Sequence, residues 1–138
     1  MTLIENYISN NYFGRLLGMN FTILEDGVVH YFLTISEDHL ATPTSAHGGC
    51  MASLLDATMG VGALSLVAAK NQVVATVEMK INFLKSASLN DELRAISKVV
   101  KNGNKIIIMF AELRNQKDEI LAVSSGTFMP YDAKKAGY

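Results

Sequence analysis

The sequence holds a single cysteine, Cys50. A disulfide within the chain is therefore excluded, as is a structural zinc site built from several thiolates. No excess of charge of either sign is present: 12 Lys and Arg stand against 13 Asp and Glu, for a formal net charge of -1. Without a basic field or stripe, neither a nucleic-acid partner nor an anionic membrane surface is expected. The first residues, Met1-Thr2-Leu3-Ile4-Glu5-Asn6, lack the basic region and apolar core of a signal peptide. The most apolar run, Ala57 to Ala69, is shorter than the roughly 20 residues that cross a bilayer. These absences make the cytoplasm the expected compartment. Internal repeats, low-complexity tracts and linkers are also missing, so 138 residues are expected to form one domain, 1–138. His30 and His39 have no ligand-type spacing to carboxylates, and no metal is expected.

What is present is apolar: 49% of the residues, enough for a substantial core. Leu3 to Leu17 carries apolar residues at helical spacing, with a break near Asn10-Asn11. Phe21 to Leu24 and Val28 to Ile35 read as strands joined by Glu25-Asp26-Gly27, a strong hairpin signal. Residues 36 to 46 read as a loop. From His47 to Lys70 small and apolar residues dominate, too long for a strand. Ser45 can act as the cap of this helix, and Lys70-Asn71 suits its C-terminal end. Apolar nearly all round, it should be buried along most of its length.

Four strands follow: Val74 to Leu84, Leu93 to Lys101, Lys105 to Arg114 and Ile120 to Met129. In the first, Val77, Met79, Ile81 and Phe83 alternate with Thr76, Glu78, Lys80 and Asn82, which places the apolar set on a buried face. The short connections of the last three imply an antiparallel meander. The order β-β-helix-β-β-β-β leaves one apolar helix to be covered by one sheet, which must wrap around it. The predicted class is α+β: a hotdog arrangement with about six antiparallel strands, a long central helix and a short N-terminal helical segment. Its open sheet edges invite edge-to-edge dimerisation.

Between Gly48 and Ala69 the only charged side chain is Asp56. An ionised carboxylate on an apolar helix costs several kcal/mol unless it is solvated or hydrogen-bonded. It is either a general base or nucleophile, or a residue that faces solvent or is bonded to a neighbouring hydroxyl such as Thr58 or Ser53. His47-Gly48-Gly49 opens the same helix. Two glycines are poor helix residues, at roughly 1 kcal/mol each relative to Ala, and make sense where another group approaches the backbone. Free N–H groups at a helix start can polarise a carbonyl and stabilise the oxyanion formed on attack; a turn needing flexible backbone is the plainer alternative. Asp56 lies nine residues after His47, so their side chains are roughly 180° apart, and Gly48 and Asp56 are separated by roughly 12 Å of rise. One helix cannot aim both at one carbonyl, whereas a two-fold dimer can, with two shared sites.

The run His47-Gly48-Gly49-Cys50-Met51-Ala52-Ser53-Leu54-Leu55-Asp56-Ala57-Thr58-Met59-Gly60 resembles the signature of hotdog-fold acyl-CoA thioesterases of the phenylacetate-degradation type. The similarity extends through Phe13-Gly14-Arg15-Leu16-Leu17-Gly18, Glu25-Asp26-Gly27 and Thr76 to Leu84. The resemblance implies hydrolysis of an acyl- or aryl-acyl-CoA to free acid and CoA, with Asp56 as base or nucleophile and the Gly48 N–H on the thioester carbonyl. His47 would shape the turn, and Thr76 would help place the attacking water. CoA contacts would fall on Gly49, Phe83, Leu84, Lys85 and Ser86, and on Lys101, Gly103 and Lys105, with the lysines available to phosphates. Met51, Leu55 and Met59 are the expected acyl pocket. No cofactor is expected, since CoA is part of the substrate, and the implied assembly is a homodimer pairing into a homotetramer.

One departure stands out. The family often has Asn six residues before the His, where this chain has Ala41. Losing one carbonyl donor costs roughly 3 kcal/mol in a transition state, unless Thr42, Thr44 or Ser45 substitutes. A non-catalytic acyl-CoA sensor and a hotdog hydratase or dehydratase are therefore the alternatives. Cys50 is expected to fill core space rather than act as a nucleophile.

Overall fold

The computed structural model describes residues 1–138. The N-terminal segment forms two helices, α1 (Leu3–Asn10) and α2 (Tyr12–Leu17). Helix α1 opens on a capping box: Thr2 Oγ1 accepts the Glu5 N–H at 3.1 Å, and the Glu5 carboxylate accepts the Thr2 N–H at 2.6 Å. The break expected near Asn10-Asn11 is made by Asn11. Its Oδ1 accepts the Gly14 N–H at 3.2 Å to cap α2, while its Nδ2 donates to the Tyr31 hydroxyl at 3.2 Å. One side chain thus separates the helices and ties them to the sheet.

Strands β1 (Asn20–Glu25) and β2 (Val28–Thr34) form the expected hairpin. Gly27 supplies the left-handed backbone the turn requires, at φ +84. The central helix α3 runs Gly48–Val67 and tightens into a 3-10 turn over Ala68–Lys70. Gly48–Lys70 is, by length and composition, long and apolar enough to cross a bilayer, a longer run than Ala57 to Ala69. That surface is largely taken up inside the protein: Leu54, Leu55, Met59, Val61, Ala63 and Val67 are buried.

Strands β3 (Gln72–Phe83), β4 (Glu92–Asn102), β5 (Ile107–Arg114) and β6 (Ile120–Asp132) complete one six-stranded antiparallel sheet in the order β1-β2-β4-β5-β6-β3. β4, β5 and β6 form the expected meander, and β3 adds outside β6 as an edge. The inner face, with Tyr31, Leu93, Ile107, Met109, Leu113 and Phe128, closes on α3. This is the hotdog fold.

The alternation expected along β3 holds for Met79 and Ile81 but not for the whole strand. Val77 and Phe83 remain 59% and 53% exposed. The register shifts between Thr76 and Glu78, leaving Val77 as the extra residue of a β-bulge. Thr76 then sits opposite the buried Phe128, and Glu78 sits opposite Thr127. The slip moves Thr76 to the helix-facing side while Glu78 stays outside, where it accepts the Thr127 hydroxyl at 2.7 Å. A period of two without a bulge would have put both on one face.

The far half of α3 docks through Gly62. A Cβ there would lie 2.7 Å from Met109 Cε and 2.8 Å from Ser97 Oγ. Ser97 has little freedom to retreat, because its hydroxyl accepts the Val29 N–H and donates to the Gly27 carbonyl, both at 2.9 Å. Gly62→Ala is therefore expected to destabilise the protein by about 1–3 kcal/mol through overpacking, outweighing its gain in helix propensity. Thermal unfolding checks this, and an unchanged or raised midpoint would contradict the packing argument.

Candidate active site

A short polar relay fixes the start of α3. His39, buried after β2, accepts the Ser36 N–H on Nδ1 at 2.9 Å, so its Nε2–H is free to donate to the Leu17 carbonyl, 2.7 Å away. The His39 carbonyl in turn accepts the His47 N–H at 2.7 Å. His47 is the N-cap, its Nδ1 accepting the Gly49 N–H at 2.8 Å. This corrects the expectation that Ser45 caps the helix: Ser45 is held in a β-bridge to Ser88.

The relay assigns the two glycines different duties. A Cβ on Gly49 would lie 2.9 Å from His47 Nδ1, so the cap itself requires glycine there. A Cβ on Gly48 would meet only the Phe83 ring edge at 3.7 Å, an ordinary contact. The Gly49 N–H is taken by His47 and the Cys50 N–H by the His47 carbonyl, whereas the Gly48 N–H donates to nothing in the chain. It stands exposed at the positive end of the α3 dipole, able to bind an oxyanion.

Asp56 is half-buried two turns further on. Its Oδ1 accepts the Thr76 hydroxyl at 2.8 Å, and no other hydrogen bond within the chain engages the carboxylate. Neither neighbouring hydroxyl is its partner: Thr58 donates to the Leu54 carbonyl at 2.6 Å and Ser53 to the Gly49 carbonyl at 2.9 Å. The donor comes from β3, turned inward by the bulge. One carboxylate oxygen is thereby oriented and the other left available for a proton or a carbonyl carbon.

Asp56 and Thr76 form part of the wall of a cavity of ≈ 320 Å³. Ala57, Gly60 and Leu64 continue that wall along α3. Val73 and Val74 of β3, Phe128 and Tyr131 of β6, Tyr7 of α1, and Ala136 with Tyr138 beyond β6 supply the rest. Burial, with the Tyr31 phenol and other neighbours including the Asp56 charge adding to it, pushes the Tyr7 phenol well above the usual tyrosine range. The three residues expected at the acyl pocket lie elsewhere in this chain. Leu55 and Met59 are fully buried in the core, Met59 Sδ accepting the Ser124 hydroxyl at 3.5 Å. Met51 lies beside Gly48. None of the three lines the Asp56 cavity.

The residues expected around CoA separate into two groups. Phe83, Leu84, Lys85 and Ser86 gather with Gly48 and Met51 around one depression, although Lys85 is already ion-paired with Glu119. Lys101, Gly103 and Lys105 lie at the opposite end of the sheet: the β4–β5 end is in register with Phe128, whereas Phe83 is in register with Ala122, about 20 Å away along β6. Gly103 is required by its turn, where a Cβ would lie 2.7 Å from the Ile106 carbonyl oxygen. Within one chain, Gly48 and Asp56 are also held apart, since α3 is continuous between them and eight residues rise roughly 12 Å. Ala41 is exposed, and the nearby Thr42 hydroxyl accepts the Ser45 N–H at 2.9 Å. No three His, Cys, Asp or Glu side chains converge on a point that could hold a metal ion.

The family model described as "Thioesterase superfamily" matches residues 44–122, which include both the His47–Gly49 turn and Asp56. A protein of Archaeoglobus fulgidus provisionally designated an esterase is 24% identical over 125 residues, covering 90% of this chain and 79% of its own length. The E. coli PaaI protein from the phenylacetic acid degradation operon superposes with a TM-score of 0.85 at 21% identity, over 93% of this chain and 90% of its own. A hypothetical thioesterase protein of Streptococcus pneumoniae, solved with coenzyme A, gives a TM-score of 0.76 at 23% identity, over 83% of this chain and 87% of its own.

Cys50, inside the first turn of α3, is buried, and burial pushes its thiol above the ordinary range. A thiol so placed is a poor nucleophile. Iodoacetamide at neutral pH is expected to leave Cys50 unmodified in the folded protein and to alkylate it once the chain is denatured, as read by mass spectrometry. Rapid labelling of the folded form would overturn the core placement.

Proposed function

The chain belongs to the thioesterase superfamily and is a thioester hydrolase, and on that premise we propose that it hydrolyses acyl-CoA at sites each completed by two copies of the chain. The observation that carries this reading is the Asp56 carboxylate, anchored through one oxygen by Thr76 at the wall of an apolar cavity. The unengaged Gly48 amide supports it as the second half of the machinery. In the proposed reaction a partner's Gly48 N–H donates to the thioester carbonyl. Water attacks the carbonyl carbon while Asp56 takes its proton. The tetrahedral oxyanion collapses, the C–S bond breaks, and the sulfur leaves as thiolate to receive that proton. The products are a carboxylic acid and CoA. In the covalent alternative Asp56 attacks directly, expels the thiolate, and water hydrolyses the resulting anhydride. Phe83, Leu84 and Ser86 border the Gly48 depression where the pantetheine arm would approach.

Two copies are needed on geometric grounds. Roughly 12 Å of helix between Gly48 and Asp56 is too far for both to meet one carbonyl, and the edge strand β3 keeps Val77 and Phe83 exposed, with Leu84 just beyond it, for a partner to cover.

Thiol release over a panel of acyl-CoAs tests the reading, with phenylacetyl-CoA included because of the operon named for the E. coli relative. Asp56→Asn is expected to lower kcat by about 10²–10⁴-fold. Thr76→Ala should lower it by roughly tenfold or more, as for the loss of a hydrogen bond to a charge. A native chain that binds CoA esters without releasing thiol would identify a sensor, and hydration of an enoyl-CoA would identify a hydratase. Oxygen-18 from labelled water, found in Asp56 after a single turnover, would select the anhydride route.

The sharing of sites has its own test. Proline is well accepted at the first position of a helix, and His47 already has the extended backbone (φ -64, ψ 134) that a following proline needs. Gly48→Pro therefore removes the amide with little other disturbance. Gly48→Pro and Asp56→Asn chains, each inactive alone, are expected to regain about one working site per heterodimer when mixed. No recovery in a verified heterodimer would mean that each site is built from one chain.

A further inference from the structure

We propose that Gly60 is a specificity-determining residue, whose missing side chain reserves room beside Asp56 for bulk on the acyl carbons next to the scissile carbonyl. The inference rests on the reading above, in which Asp56 is the working carboxylate, and it extends that reading to the acyl group.

Backbone conformation does not require glycine at position 60. Left-handed backbone occurs at Gly18, Gly27 and Gly137, not at Gly60. Packing does not require it either. A Cβ at Gly60 would meet only Phe128 Cε1 at 3.6 Å, an ordinary van der Waals contact. Two residues further along the helix, a Cβ at Gly62 would collide with two side chains. Glycine inside a helix sacrifices stability relative to alanine, so Gly62 is explained by the fold and Gly60 is not.

The surroundings of Gly60 indicate what its bareness serves. Asp56 and Gly60 are four residues apart on α3 and so share a face, and both line the ≈ 320 Å³ cavity. One turn of helix separates them, roughly 6 Å of rise. The space over Gly60 is therefore adjacent to the carboxylate and not at the far end of a long chain. Val74, Phe128, Tyr131, Tyr7 and Tyr138 also line the cavity. An enclosed apolar cavity of about 150 Å³ takes up benzene, so a cavity of ≈ 320 Å³ has the volume for a branched or ring-bearing acyl group. A side chain at position 60 would project into that space.

The test uses equilibrium binding to the full native chain and needs no turnover. Two non-hydrolysable CoA thioethers are compared by calorimetry, one bearing an acetonyl group and one a phenacyl group. The native protein is expected to bind the phenacyl thioether more tightly. Gly60→Ala should weaken the phenacyl thioether roughly tenfold relative to the acetonyl one, the scale of one added carbon in a filled pocket, with an unfolding midpoint equal to or above the native one. Gly60→Ser must shift the ratio in the same direction. An unchanged ratio, an equal loss for both thioethers, no discrimination by the native chain, or a variant that fails to fold would each overturn the proposal. A chain that releases no thiol from any acyl-CoA, yet shows the predicted ratio change, would defeat the hydrolytic reading and leave the role of Gly60 standing.

Discussion

The one carboxylate on an otherwise apolar helix is oriented by a single donor, and that donor arrives through a defect in the sheet. Asp56 cannot draw on its own helix, because Thr58 and Ser53 return their hydroxyls to the backbone. It depends on Thr76, and Thr76 faces the helix only because Val77 bulges out of β3. A bulge disturbs the ladder locally, a cost that a central strand would bear on two sides. β3 pairs on one side alone, with β6, so the disturbance is confined to one ladder. The hydrogen bond it permits orients one oxygen of the carboxylate. Strand order, bulge and carboxylate therefore form one arrangement.

The same economy governs the start of α3. Leu17, His39, His47 and Gly49 are linked end to end by hydrogen bonds, tying the N-terminal helices to the helix cap. By taking the Gly49 amide, His47 stabilises α3 by about 1 kcal/mol, as capping groups do. It also leaves the preceding amide as the one without a partner. Two adjacent glycines that look alike in the sequence are thus unlike in the structure: Gly49 is bare so that a ring can cap it, and Gly48 is bare with nothing in the chain pressing on it.

Much of this was legible in the sequence, and the remainder was hidden for identifiable reasons. The hairpin at Asp26-Gly27, the interruption at Asn11 and the long apolar helix are local signals, written in turn residues and periodicity, and each lies where the pattern placed it. Asp56 was conspicuous because charge is otherwise missing from α3. The bulge was not legible: alternation at Val77, Met79, Ile81 and Phe83 continues unbroken through residues whose pairing does not. The cap was misassigned because Ser45 has a far stronger general preference for that position than His47, and only the tertiary contact with His39 reverses the choice. The aromatic wall of the cavity beside Asp56 was not legible because Tyr7, Tyr131 and Tyr138 come from separate segments, and no spacing along the chain reports their convergence. Met51, Leu55 and Met59 were natural candidates by proximity to Asp56 in sequence, but a helix wrapped by a sheet spends that face on the core.

What separates a hydrolase reading from a binding-module reading of the same fold is the state of the polar groups. A module that only holds an acyl thioester needs the apolar cavity and gains nothing from a carboxylate in its wall, since desolvating a charge opposes binding. The chain keeps the costly group, orients one of its oxygens and leaves the other unengaged, while the amide suited to an oxyanion lies a helix segment away. A ground-state binder has no use for that combination. A catalyst does, because donors aimed at charge that appears only in the transition state lower the barrier without tightening substrate. On the roles proposed for Asp56 and Gly48, it is their separation along one continuous helix that leads to a proposed catalytic unit of two copies.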